Sequence, residues 1–85
     1  MMGQEVLPVF SSAAKSIQPH TTYQHHKGLC YKILAIAYHS ETLEEMVIYQ
    51  ALYGEGAIWV RPVSLFLGDV VVEGKSQARF KRKAN

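Results

Sequence analysis

Hydrophobic and polar positions follow a regular pattern only from Tyr23 onward. Before that, Ser11, Ser12, Ala13, Ala14, Gln18, Pro19, Thr21 and Thr22 dilute the apolar residues and leave no sustained period, which predicts a flexible arm over residues 1–21. Val6, Leu7, Val9 and Phe10 form a short apolar cluster suited to docking on the domain or on a neighbour. The stretch from Leu29 to Tyr38 is rich in β-branched and aromatic residues, with Gly28 before it and His39-Ser40 after it, and predicts one long strand.

The next segment admits two readings. Thr42-x-x-Glu45 has the spacing of a helix capping box, whereas Met46-Val-Ile-Tyr49 is β-rich and alternates. Alternation favours a strand entered through a turn at residues 39–44. Gly54-Glu-Gly56 supplies the backbone freedom for a reversal, Ala57 to Arg61 returns as the second strand of a hairpin, and Pro62 stops it. Val63 to Leu67 suits a single helical turn, with Leu65 and Phe66 available to cover the end of a barrel. Val70 to Glu73, a Gly74-Lys75 turn and Gln77 to Arg82 make a closing hairpin. The sum is a mainly β fold: a small, strongly bent sheet or partly open barrel of about five strands with one short helical turn, occupying residues 22–83.

At 85 residues the chain supports one core, and 48% hydrophobic with 19% charged residues suits a compact globule. A net charge of +2 is not that of a general nucleic-acid binder. The single Cys30 cannot form an internal disulfide, so a reducing cytoplasm is the expected compartment. Neither a spanning apolar run nor a secretory or myristoylation signal is evident, so no membrane partner is expected.

An ordered series of uncommon residues carries a family resemblance: Tyr23-x-His25-x-Lys27-Gly28, His39-Ser-Glu-Thr42-x-Glu44-Glu45, Tyr49-x-Ala-Leu-Tyr-Gly54, Trp59-Val-Arg-Pro62 and then Phe66. Over about residues 22–82 the chain resembles the bacterial family catalogued as domain of unknown function 1653. The resemblance implies a small β-rich fold similar to Src-homology-3-like barrels and implies no established activity. Gln24 and Tyr38 stand where the family commonly has arginine, so an anion site built on those arginines is not carried over.

Candidate chemistry gathers first around the 39–45 turn. His39, Ser40, Glu41, Thr42, Glu44 and Glu45, facing Arg61 across a hairpin, have the residue types for general acid–base work with an arginine as anion holder. The plainer reading is a polar turn in which Ser40 and Thr42 bond backbone amides while Glu41 or Glu44 pairs with Arg61. Trp59 is expected at a pocket edge with Arg61 two residues on along the same face, and Tyr23, Tyr31, Tyr38, Tyr49 and Tyr53 supply either a core or a stacking row. His25 and His26 point to opposite faces of a strand, and no Cys-x-x-Cys or His-x-x-x-His spacing supports a metal site; Cys30 reads as a small buried apolar residue. Lys75, Arg79, Lys81, Arg82 and Lys83 around Phe80 suit either a phosphate-tracking tail or a lysine-guarded edge strand.

The expected function is therefore a non-enzymatic binding module using His39, Ser40, Glu41, Thr42, Trp59 and Arg61, with no catalytic residue, metal or cofactor assigned. A protein or peptide, a nucleotide-like ligand, and nucleic acid along the basic tail are the partner classes left open. The alternatives are a small enzyme using His39 and Glu41 with Arg61, and a structural homo-oligomer held by the same charged groups.

Overall fold

A computed structural model describes residues 9–84, so Val6 and Leu7 of the apolar cluster lie outside the described residues. Its elements are α1 (Ser12–Lys15), β1 (Thr22–His25), β2 (Cys30–Tyr38), β3 (Glu45–Ala51), β4 (Ile58–Pro62), α2 (Val63–Phe66), β5 (Asp69–Val72), β6 (Lys75–Ala78) and β7 (Phe80–Arg82). Five strands form one antiparallel sheet in the order β4-β3-β2-β1-β7, and β5 with β6 forms a separate hairpin. The mainly β expectation holds. The sheet stays open, since no pairing joins β7 to β4 among the described residues.

Seven strands replace the expected five or so, for two local reasons. First, the turn after His25 separates β1 from β2: His25 N donates to Leu29 O at 2.8 Å, and Gln24 Nε2 donates to Gly28 O at 2.9 Å. Second, the last strand breaks at Arg79. Residues 75–78 pair with β5, whereas residues 80–82 pair with β1, so the chain changes sheets within one residue. Arg79 fastens that change through its own backbone, which donates to Gly68 O at 3.0 Å and accepts from His26 N at 2.8 Å. The closing hairpin turns through Glu73 and Gly74, at φ 52° and 80°, with Val72 opposite Lys75. That is one residue earlier than the sequence predicts, because a tight two-residue turn needs positive φ at both central positions.

A β-bulge in β2 decides which side chains reach the core. Ile33 pairs with Tyr49 but Ala35 pairs with Ile48, leaving Leu34 as the extra residue. Strict alternation after Ile33 would send Ala35 and Ala37 inward; the bulge instead brings Ile36, opposite Val47, onto the core face. That face is covered by the two short helices. Pro62, with φ fixed at −56°, ends β4 and starts α2, whose Val63 and Phe66 are buried one turn apart. Phe66 stacks on Phe80 at 4.2 Å and meets Tyr23 and Tyr49 edge-on.

The second half of the expected arm contributes to the same core. Ser11 caps α1 by accepting from Ala14 N at 3.1 Å, and the helix sets Ala14 and Ile17 into the core cluster, both essentially without exposure. The Glu45 carboxylate anchors the cap, accepting from Ser11 N at 2.6 Å and from Ser11 Oγ at 2.7 Å. An apolar period cannot show this, since the four-residue helix buries only Ala14 and the next buried residue, Ile17, lies beyond its C-cap. No helix among the described residues is long and apolar enough to cross a membrane.

Candidate functional site

Strand register settles where each expected site residue lies. Ile36 faces Val47, and Val47 faces Arg61, so Arg61 sits three strand residues back from His39 and two strands across. At about 3.3 Å per residue and 4.8 Å per strand, the backbone of the 39–44 turn lies on the order of 14 Å from that of Arg61. His39, Ser40, Glu41 and Thr42 form one exposed group, and exposed Trp59 with half-buried Arg61 forms another.

Within the turn, the polar groups bond to one another. His39 Nδ1 accepts from Glu41 N at 3.1 Å and from Thr42 N at 3.3 Å, while Ser40 Oγ donates to Glu41 Oε2 at 3.2 Å. Thr42 Oγ1 accepts from Glu44 N at 3.2 Å, and Leu43 completes the reversal at φ 64°. Glu45 is committed to Ser11. The pairing of Glu41 or Glu44 with Arg61 is not made: the guanidinium goes to Tyr49 and Phe80. His39, Glu41 and Arg61 therefore do not assemble the acid–base constellation that the enzyme alternative requires.

The other group belongs to a larger assembly centred on Phe80. Register places Tyr31 opposite Tyr23 and Ala51, Tyr49 opposite Trp59, and His25 opposite Phe80, so all these side chains share the core face of the sheet. The Phe80 ring is met edge-on by His25 at 5.0 Å, Tyr49 at 5.6 Å and Tyr31 at 5.9 Å, and the Arg61 guanidinium lies 5.8 Å from its centroid. Arg61 Nε donates to Tyr49 Oη at 3.2 Å, and its terminal Nη groups make no hydrogen bond among the described residues. At the rim, the Tyr31 and Tyr53 hydroxyls bond at 2.5 Å, and Trp59 is 51% exposed. An aromatic floor thus carries polar tips from Arg61, His25, Tyr31 and Tyr53.

The charged groups that act on His25 are all basic. Desolvation by burial is the first cause that holds the His25 imidazole below its usual pKa, followed by the charges of His26, Arg61, Lys27 and Arg79. Its Nδ1 accepts from Lys27 N at 3.2 Å, which leaves Nε2 to carry the proton of the neutral ring. Burial, then the bond to Tyr53, pushes the Tyr31 phenol up to about 12. It is therefore a donor at any physiological pH. Arg79 Nε is buried without a hydrogen-bond partner among the described residues.

Sequence reasoning places Trp59 and Arg61 on one face of a strand and leaves the tyrosines as either core or stacking row, but weighs His25 only as a metal ligand and Phe80 only as part of a basic tail. Phe80 is 6% exposed, so it cannot stack on a nucleic-acid base. Alternation alone could have joined Tyr31 to Tyr49; bringing in His25 and Phe80 required the sheet change at Arg79. Among the described residues no His, Cys, Asp or Glu cluster is arranged to hold a metal.

An open five-stranded sheet with an attached hairpin and two helical turns makes this a small, mostly β protein whose candidate site is a surface face. The chain belongs to the family described as Protein of unknown function (DUF1653), whose model matches residues 21–82. It is similar to a crystal structure of a DUF1653 protein from Bordetella bronchiseptica, at 28% identity and a TM-score of 0.70, over 80% of this chain and 88% of that one. No curated protein matches the chain.

Proposed function

We propose that this chain is a non-enzymatic binding module that holds the anionic group of a ligand with a planar body. The observation that carries the reading is Arg61: its stem and Nε are fixed by Phe80 and Tyr49, and among the described residues its terminal donors make no hydrogen bond, beside exposed Trp59. A preorganised guanidinium is suited to bidentate capture of a carboxylate or phosphate, and the indole offers a stacking surface for the planar part. His25 Nε2 and the Tyr31–Tyr53 hydroxyls add further donors on the same side of the sheet. The His39–Thr42 turn is assigned a structural part, because its hydrogen bonds are spent within the turn.

The likeness to Src-homology-3-like barrels belongs to the same proposal, supported by the meander from β1 to β4 with β7 returning onto β1. A bacterial cytoplasmic setting is supported by the bacterial family member and by the lone Cys30.

Phenyl phosphate is the test ligand, with phenol and inorganic phosphate as its two halves. In amide and side-chain NMR, phenyl phosphate is expected to shift the Trp59 indole and Arg61 Nε signals saturably, and each half alone to act much more weakly. Arg61→Ala should abolish the response. No saturable shift at millimolar ligand, or a response that Arg61→Ala leaves intact, removes this site from the proposal.

A further inference from the structure

We propose that β4 is a dimerisation edge, along which two copies of this chain pair antiparallel about a two-fold axis at Trp59. The two ends of the sheet are unlike. At one end β7 has only three residues and carries Lys81 and Arg82, with Lys83 next in the chain, which is the charged, shortened form that blocks edge pairing. At the other end β4 presents Ile58, Trp59 and Val60 at 61%, 51% and 60% exposure. No charge interrupts Gly56 to Val60. Such a bare apolar edge is a template for another strand.

The hydrogen-bond phase of β4 selects the partner and the register. Ala51 N donates to Ala57 O at 2.9 Å, so by antiparallel alternation the main-chain groups of Trp59 and Arg61 turn inward to β3, and those of Ile58 and Val60 turn outward. The next outward position is Pro62, which has no N–H, so the free edge ends there. With the axis at Trp59, Ile58 of one copy stands opposite Val60 of the second, and both pairs exchange all their outward hydrogen bonds. This strand is therefore complementary to itself, as a two-fold interface demands.

Charge agrees with the antiparallel sense. Glu55 precedes the bare edge and Arg61 ends it, so antiparallel pairing brings Arg61 of each copy toward Glu55 of the other. Parallel pairing would set Arg61 beside Arg61. Ile58 and Val60, with half-buried Met46 and Ile48 on the same outer face, continue an apolar strip across the junction. An interface of one short strand pair lies at the small end of specific contacts, so the dimer is weak and reversible.

Sedimentation velocity on the full chain, from micromolar to millimolar concentration, tests this. The mass should rise from monomer toward dimer. Ile58→Lys, at an exposed position, should weaken association by at least about tenfold by placing like charges across the axis. Val60→Pro should abolish it, because it removes an outward N–H and leaves the bonds to β3 in place. Near-UV circular dichroism of both variants verifies the fold; if Val60→Pro does not fold, Ile58→Lys decides alone. A wild-type chain that stays monomeric throughout overturns the proposal, and so does a dimer that the folded variants leave unchanged.

Discussion

Arg61 shows how one residue is held by groups far from it in sequence. Its Nε bonds Tyr49 and its charge rests near the Phe80 ring, two interactions that together are worth about 1–2 kcal/mol at a half-buried site. Arg61→Ala is expected to lower unfolding stability by that amount in urea titration. Arg61→Lys should recover little of it, since an ammonium reproduces neither the planar stacking nor the fixed fork. Tyr31 is the other residue with a distinct signature. Its phenol ionises at about 12, against 10.0 for an unperturbed tyrosine. Because the neutral form is favoured in the folded state, this contribution to stability is complete below pH 10.0 and is lost as pH rises toward about 12. Ultraviolet titration should show late phenolate steps, since burial also raises the Tyr23 phenol, and Tyr31→Phe should remove the one at about 12.

At the scale of elements, α1 depends on a carboxylate from β3. Ser11 donates twice to Glu45, and the backbone bond is the first cause that holds the Glu45 carboxyl below its ordinary 4.5. A depressed carboxylate stabilises the fold above pH 4.5 and loses that effect as pH falls through its folded value. Glu45→Gln is therefore expected to lower Tm at neutral pH, with the difference from wild type shrinking in acid. Amide exchange at Ala14 and Ile17 should quicken in the variant, localising the loss to α1. β6 and β7 show the reverse dependence: a single apolar-polar run serves two sheets because Arg79 redirects the backbone between them.

Across the whole molecule, Phe80 joins the core to the candidate site. One side of its ring stacks on Phe66, and its periphery meets His25, Tyr31, Tyr49 and Arg61. Truncating it removes an aromatic from a fully packed position, at a cost of about 3–5 kcal/mol, a large share of what a domain this small possesses. Phe80→Ala should unfold at much lower denaturant concentration, and Phe80→Leu should recover part of the loss. The consequence for function is that the site and the core cannot be varied independently. Substitutions meant to probe the ligand face belong at Trp59, Tyr53 or Arg61, where the side chains reach solvent.

The linear pattern was enough to read the local elements. Alternation in Met46 to Tyr49, the glycines at 54 and 56, the stop at Pro62 and the helical turn after it all act over a few residues, and a few residues are what a linear pattern encodes. It also determined that Trp59 and Arg61 share a face, because side chains two apart on a strand must. Long-range packing and pairing settled that Ala14 and Ile17 complete the core, that a bulge at Leu34 turns Ile36 inward, and that the last strand divides at Arg79. The same holds for the candidate site. His39 and Arg61 look adjacent through a hairpin read in sequence, yet register sets them apart, while His25 and Phe80, separated by most of the domain, become direct neighbours. Strand pairing between distant segments is fixed by the hydrogen-bond ladder and by what the assembled core must bury, and neither exists until the chain has folded.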